Sequence, residues 1–353
     1  MPEYSIGVDL GGTNLRIAAV DQEGELLEKI TLGTQVVLGR DQVLNDMCDA
    51  IQRLVAKYRD VGSPVGIGIG VPGIIDMETG MVHESPNLPG WTDYPVRSEI
   101  ERRLGTRVIL ENDANSAALG ENWLGAARGV QDMAILTLGT GVGGGLVLGR
   151  QIWHGMTGMA GEFGHMTVEP DGPRCGCGNQ GCLEALASAT AIVRMAREAI
   201  ASGVAPGLSR AASSNPEFTS KAIYNLAIQG DEGAKRIFRR VGRALGIALS
   251  NLINGLNLPM YVVGGGVSSA WDAFAPSLFE ELRERCMVYA ATSPEPINKH
   301  GASAHVEPTG RTKTIVTRAL LGSDAGLFGA ARLPLVNANH APASAPAFAR
   351  SPS

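Results

Sequence analysis

The sequence has no surplus of positive charge: 30 Lys and Arg stand against 35 Asp and Glu, a net charge of -5 over 353 residues. A nucleic-acid or anionic-membrane partner requires a basic face, so neither is expected. A leader is not expected either, because "MPEYSIGVDL" has neither a basic n-region nor an apolar h-region. Long apolar runs are absent. One uncharged stretch, Met133–Gly149, holds six glycines and two threonines, which fits two short strands around a glycine turn better than a membrane helix. The expected compartment is therefore the cytoplasm, where structural disulfides are rare. Cysteine is scarce, five residues in all, yet three of them fall between Cys175 and Cys182. Those thiols need a use other than a disulfide.

Hydrophobic residues make up 44% of the chain, enough for a sizeable core in one large domain or two. The chain opens as strands, "YSIGVDL", "RIAAVDQ" and "ELLEKITL", joined by "GGTN" and "EG" turns. Apolar residues at helical spacing predict a helix over Asp41–Arg59, with Asp41 as its cap. "VGIGIGVPG" reads as a glycine-rich buried strand, "YPVRSEIERRLG" as a short helix, "RVILEN" as a strand and "DANSAALGENWLG" as the helix that follows it. Then "MAILTLGTGVGGGLVLGRQIWHG" repeats the opening strand, Gly/Thr turn, strand pattern. A repeat at roughly 130 residues indicates two similar domains, since solenoid periods are about 20–50. Helices are expected near Glu184–Ala201, Glu232–Leu256 and Trp271–Arg285, with the strand "MYVVGGG" between the last two. Ala290–Arg311 reads as a loop, "KTIVTRALLG" and "SDAGLFGAARL" as a strand and a final helix, and residues 335–353 as a disordered tail.

Three strands end in small-residue turns: Asp9–Asn14 with Gly11, Gly12 and Thr13; Leu138–Gly145 with Gly139, Thr140 and Gly141; and Val262–Val267 with Gly264, Gly265 and Gly266. Glycine lets backbone N–H groups approach an anion, and a threonine adds a hydroxyl. Any one of them also fits an ordinary hairpin. None is a Walker loop or a Gly-x-Gly-x-x-Gly turn opening a helix. Three in one chain, two of them in a repeated unit, favour a nucleotide phosphate site.

Two further segments carry chemistry. "RVILENDANSAALGE" places Asn112 and Asp113 at the carboxyl end of a strand, where open α/β sheets hold ligands. Asp113 suits two roles equally there, a base that accepts a hydroxyl proton and a cap for the following helix. Asn112 and Asn115 add amides able to bind hydroxyls. His165, Cys175, Cys177 and Cys182 form a complete Cys3His set for a tetrahedral structural zinc, whereas reduced thiols beside glycines would have no apolar surroundings. Cys48 and Cys286 lie on helices and read as packing residues.

The duplicated βββ unit resembles the actin–hexokinase–sugar kinase superfamily. More specifically, "CGCGNQGCLE" and "GEFGH" resemble the signature motifs of the ROK family (repressors, open reading frames, kinases), and "DLGGT", "VPG", "ESPNL", "ENDAN" and "LGTGVGGG" follow in that family's order. The resemblance runs from about Ser5 to Ala331. It implies a two-domain actin-like α/β fold with a cleft. Residues 1–117 would form a smaller N-terminal domain, completed by a C-terminal helix at about 314–332, and residues 118–313 a larger one carrying the zinc loop. It implies an ATP-dependent hexose kinase, glucose being the first expectation, with Mg²⁺ and ATP as cofactors and Asp9 a carboxylate near the magnesium. It makes Asp113 the general base and Asn87, Asn112, Glu162, His165 and Glu184 sugar ligands, His165 also holding zinc. Mannose, fructose, N-acetylglucosamine and N-acetylmannosamine kinases share the scaffold, and polyphosphate is an alternative donor. A homodimer or homotetramer is expected. The family also contains sugar-responsive repressors. Those carry an N-terminal helix-turn-helix, which is not expected here because the first strand is read as starting near Tyr4.

Overall fold

The computed structural model describes residues 3–85, 87–214, 217–294 and 313–338. Its first sheet grows from β1 (Tyr4–Leu10), β2 (Asn14–Asp21) and β3 (Leu26–Gly33), an antiparallel meander turned at Gly11–Thr13 and again beyond Asp21. Helix α1 (Arg40–Lys57) follows and buries Val43, Leu44, Met47, Cys48, Ile51 and Leu54, the face its apolar spacing predicts. Gly39, not Asp41, occupies its N-cap, and Asp41 sits in the first turn, where a carboxylate still opposes the helix dipole. β4 (Pro64–Val71) then pairs parallel with β1. The ribbon β5 (Ile74–Ile75) and β6 (Val82–Glu84) leads to α2 (Val96–Leu104), β7 (Ile109–Asn112) and α3 (Asp113–Trp123). The order is β3-β2-β1-β4-β7.

The second sheet repeats this plan: β8 (Met133–Leu138), β9 (Val142–Leu148), β10 (Gln151–Ile152), β11 (Met260–Gly264) and β12 (Ile315–Arg318), in the order β10-β9-β8-β11-β12. Both sheets are antiparallel on one side of the first strand and parallel on the other. The predicted repeat is thus a repeat of topology. The copies differ between their third and fourth strands, where the second inserts the cysteine loop and helices α4 (Glu184–Ala187), α5 (Ala189–Ala201), α6 (Pro206–Ser214), α7 (Ser220–Ile228) and α8 (Glu232–Leu256). α9 (Trp271–Arg285) and α10 (Met287–Thr292) follow β11. In α8 the Asp231 carboxylate caps the N-terminus by accepting from the Ala234 N–H at 2.8 Å, and Asn257 closes the far end in the left-handed conformation. The face between buries Ile237, Phe238, Val241, Leu245, Leu249 and Ile253, each worth about 1.5–3 kcal/mol of apolar transfer.

α11 (Ala325–Ala338) returns to the first sheet and packs on β1, β4 and α3. "VGIGIGV" explains how. A Cβ at Gly68 would meet the Ala330 carbonyl, and one at Gly7 would lie 2.7 Å from the Ala331 nitrogen, so only bare backbone admits the helix this closely. Ser5 Oγ donates to the Ala331 carbonyl at 2.7 Å and pins the helix axis.

The chain divides into two units. One holds residues up to Trp123, Met156–Gly158 and those from Asp324 on; the other holds Leu124–Gly155 and Met159–Ser323. The division falls later than residue 117, because α3 packs on α11 as one piece. The closing element also differs from a helix over 314–332. β12 stays with the second sheet by pairing with β11, and the helix starts only at Ala325. It runs on past residue 335 with Leu333 and Leu335 buried, so the tail cannot begin there. Residues 339–353, like most of the Ala290–Arg311 stretch, lie outside the described residues.

Candidate active site and metal centre

In the first unit β1, β4 and β7 run parallel, so their carboxyl ends lie along one edge, with Asp9 opposite Gly70 and Val71 opposite Asn112. That edge collects the expected residues. The Gly11–Thr13 turn is fixed by the Gly11 N–H donating to the Asn14 carbonyl at 2.9 Å, and by Thr34, whose hydroxyl donates to the Gly11 carbonyl at 2.6 Å. Asn87 is exposed and sits beside Gly12, where a Cβ would lie 2.9 Å from the Asn87 carbonyl oxygen. Asp9 faces its cross-strand partner Arg16, with Nη1 to Oδ2 at 3.0 Å. Burial raises the Asp9 carboxyl above its ordinary value and Arg16 opposes that rise.

The junction of β7 and α3 decides between the two roles of Asp113. Asn112 carries the capping: its Oδ1 accepts from the Ala114 N–H at 2.9 Å and from the Asn115 N–H at 3.2 Å. Asp113 Oδ1 accepts from the adjacent Ala114 N–H, also at 2.9 Å. The helix therefore does not depend on Asp113 for its cap. Asn112 Nδ2 donates to the Gly73 carbonyl at 3.1 Å, tying β7 to the loop after β4. Behind it lies Glu111, only 2% exposed, whose Oε1 accepts from the Asn112 N–H at 2.9 Å and from Asn115 Nδ2 at 3.0 Å. Asn115 is thus an interior residue, not one that offers its amide to a ligand. Sequence reasoning passed over Glu111, although a carboxylate inside the apolar run "VILEN" is an anomaly that marks a buried partner.

In the second unit the turns after β8 and β11 meet, since Gly265 lies against the backbone of Leu138, 2.5 Å from its carbonyl by an added Cβ. The cysteine loop begins at Glu162–His165. A Cβ at Gly164 would collide with the Val142 carbonyl, which explains the second glycine of "GEFGH". We expect Gly164→Ala to lower stability by about 1–3 kcal/mol, the usual cost of overpacking, and to loosen metal binding by displacing His165. Thermal unfolding with parallel metal analysis checks both effects.

His165, Cys175, Cys177 and Cys182 converge, with all four ligand atoms within 4.8 Å of one another. A tetrahedral zinc with Zn–S near 2.3 Å and Zn–N near 2.1 Å requires S···S of about 3.8 Å and S···N of about 3.6 Å. Cys177 Sγ and Cys182 Sγ stand 3.7 Å apart, and Cys175 Sγ and His165 Nδ1 also 3.7 Å. All the cysteines are free thiols rather than disulfides. Without a cation, burial pushes the Cys175 thiol up to about 12 and raises Cys182, while the Asn179 N–H lowers Cys177. A bound dication would turn these thiols into thiolates and release their protons. The donor set fits zinc. Across the ring, His165 Nε2 faces Glu162 Oε2 at 3.9 Å, too far for a hydrogen bond but close enough to put a carboxylate beside the imidazole. Glu162 is exposed and His165 half-buried, so the Glu162 carboxylate is accessible to a ligand.

Glu184 is not a solvated surface charge. Its Oε2 accepts from the Val142 N–H at 3.0 Å and its Oε1 lies 3.6 Å from Cys175 Sγ. The expected single helix from Glu184 to Ala201 is broken at Ser188, whose hydroxyl caps α5 by accepting from the Ala191 N–H at 3.0 Å. A serine immediately before an apolar-periodic run was the available signal. Cys48 and Cys286 are both buried, Cys48 as a packing residue, whereas the Cys286 sulfur also caps α10 by accepting from the Tyr289 N–H at 3.3 Å. Among the described residues no helix is long and apolar enough to cross a membrane.

Residues 5–335 match the model of the ROK family. The chain is 37% identical to a glucokinase of Halalkalibacterium halodurans over 328 residues, 92% of this chain and 93% of that one. It is 41% identical to a glucokinase of Thermotoga maritima over 294 residues, 83% and 90% of the two chains. Its fold superposes with a TM-score of 0.71 on the crystal structure of a ROK family glucokinase from Streptomyces griseus in complex with glucose and AMPPNP, at 34% identity and covering 94% of this chain and 98% of that one. With the duplicated sheet, the Cys3His loop and a match across nearly its whole length, this chain belongs to the ROK family and has the actin-like fold of its sugar kinases.

Proposed function

We propose that the protein is an ATP-dependent glucokinase that transfers the γ-phosphoryl group of ATP to the 6-hydroxyl of glucose. The observation that carries the chemistry is the β7–α3 junction, where Asn112 caps the helix and Asp113, at the carboxyl end of β7, is not required as its cap. Similarity to glucokinases over most of the chain supports glucose as the acceptor.

Asp113 takes the proton of the 6-hydroxyl as that oxygen bonds to the γ-phosphorus. The bond from phosphorus to the β,γ-bridging oxygen breaks, and ADP leaves with the electron pair. Asn87, Glu162, His165 and Glu184 hold the sugar's hydroxyls. Asn112 fixes the junction first: its Oδ1 accepts two backbone N–H groups and its Nδ2 gives one proton to Gly73, so one amide proton remains for the sugar. The turns Gly11–Thr13, Gly139–Gly141 and Gly264–Gly266 supply backbone N–H groups to the phosphates. ATP would enter as its magnesium complex, and Asp9 would be the carboxylate that faces the ion, which would neutralise charge between the phosphates. The zinc is structural. The enzyme works in the cytoplasm as a homodimer or homotetramer.

Substrate analogues test this reading. 6-Deoxyglucose should inhibit competitively against glucose and never accept phosphate. N-Acetylglucosamine should be a much poorer substrate, because a site built for a bare 2-hydroxyl leaves polar groups unpaired when an acetamido group replaces it. Equal or better kcat/KM with N-acetylglucosamine would sink the glucose assignment and leave the kinase reading standing.

A further inference from the structure

The second glycine turn is held by a segment that has no assigned part in nucleotide binding. Its backbone makes three bonds to the stretch that directly follows the last metal ligand, Cys182. The Ala189 N–H donates to the Gly139 carbonyl at 2.9 Å, the Thr190 hydroxyl donates to the Thr140 carbonyl at 2.8 Å, and the Val142 N–H donates to Glu184 Oε2 at 3.0 Å. In a planar trans peptide the C=O and the next N–H point opposite ways. Anchoring the carbonyls of Gly139 and Thr140 therefore aims the N–H groups of Thr140 and Gly141 away from the segment. Those are the donors a phosphate would use.

We propose that Glu184–Thr190 is the fixture that orients the Gly139–Val142 turn for nucleotide phosphates, with Thr190 and Glu184 as positioning residues. The inference rests on the kinase reading for the identity of the ligand, though not for the geometry. It gives the cysteine loop a second output. Glu184 follows the ligand Cys182 by two residues and accepts from the Val142 N–H, so a loop fixed by the metal also fixes the carboxylate that holds the phosphate turn. It also explains why α4 is only one turn long and stops at Ser188. The break lets residues 189 and 190 present an N–H and a hydroxyl to the turn instead of continuing a helix past it.

Thr190 is the residue to change, because it is exposed and its removal disturbs no core. Thr190→Val keeps the shape and deletes the donor, and Thr190→Ser restores it. With the valine variant we expect a non-hydrolysable ATP analogue to bind about two- to tenfold more weakly by calorimetry, the usual worth of one such hydrogen bond. KM for ATP should rise in step, KM for glucose should stay within about twofold, and the zinc content should not change. Amide hydrogen exchange over residues 138–143 should speed up, and the serine variant should return both readings towards wild type. Unchanged exchange in Thr190→Val overturns the inference whatever the ligand is. Faster exchange with unaltered analogue affinity overturns its nucleotide half. A wild-type protein that neither binds the analogue nor phosphorylates a hexose defeats the kinase reading, and that nucleotide half with it.

Discussion

Asp113→Asn should retain the fold and the affinity for glucose while kcat falls by roughly 10²–10⁴, the range for loss of a general base. The substitution is nearly isosteric and preserves the oxygen that accepts from the Ala114 N–H. The cap of α3 rests on Asn112, so the helix should stay in place. What disappears is the ability to accept the proton of the sugar hydroxyl. The complementary variant is Asn112→Ala, which removes the cap and the tie to Gly73. It should cost about 0.5–2 kcal/mol of stability, as cap deletions do. Unfolding midpoints and steady-state kinetics on the pair separate the two roles. Near-normal turnover in Asp113→Asn would remove Asp113 from the chemistry.

Cys177→Ala should abolish both bound zinc and activity. Cys177 is exposed, so truncating it deletes no core contact, and any loss comes through the metal. Wild-type protein should carry about one zinc per chain. The variant's zinc affinity should fall by more than the roughly 10–100-fold that losing an outer-shell partner costs. Activity should follow the metal, because the loop that presents Glu162, His165 and Glu184 closes on the same four ligands. Cys48→Ala is the control: it opens a small cavity in the first sheet's core, costs some stability and leaves zinc in place. Freshly purified wild-type protein without zinc, yet fully active, would contradict the structural role given to the metal.

What could be read from the chain was what is local. Alternation of apolar strands with Gly/Thr turns is written in consecutive residues, and so was the duplicated sheet. Cysteine spacing is equally local, and the ligand set of His165, Cys175, Cys177 and Cys182 assembles with distances that suit a tetrahedron. The choice between Asn112 and Asp113 as cap was not legible. Both residue types cap helices, and the side-chain directions at a strand end are set by the neighbouring loop at Gly73 and by the buried Glu111. The second attachment of Glu184 was hidden for a similar reason, since Val142 lies 42 residues away and only the fold makes them neighbours. The glycines of β4 read as a buried strand, but their alternate spacing has a further cause, the approach of a helix that begins at Ala325. The unit boundary was displaced by the same contact: α3 belongs with α11, and no periodicity in α3 alone announces a partner some 200 residues on.

The central claim is phosphoryl transfer from ATP to the 6-hydroxyl of glucose. The direct measurement is a coupled ADP-release assay of the purified, zinc-replete protein against glucose, mannose, fructose, N-acetylglucosamine and N-acetylmannosamine, with ATP or polyphosphate as donor and the product identified by phosphorus NMR. The account predicts the highest kcat/KM for glucose with Mg-ATP and a single product, glucose 6-phosphate. A protein that binds glucose by calorimetry yet phosphorylates none of these sugars from either donor would contradict it.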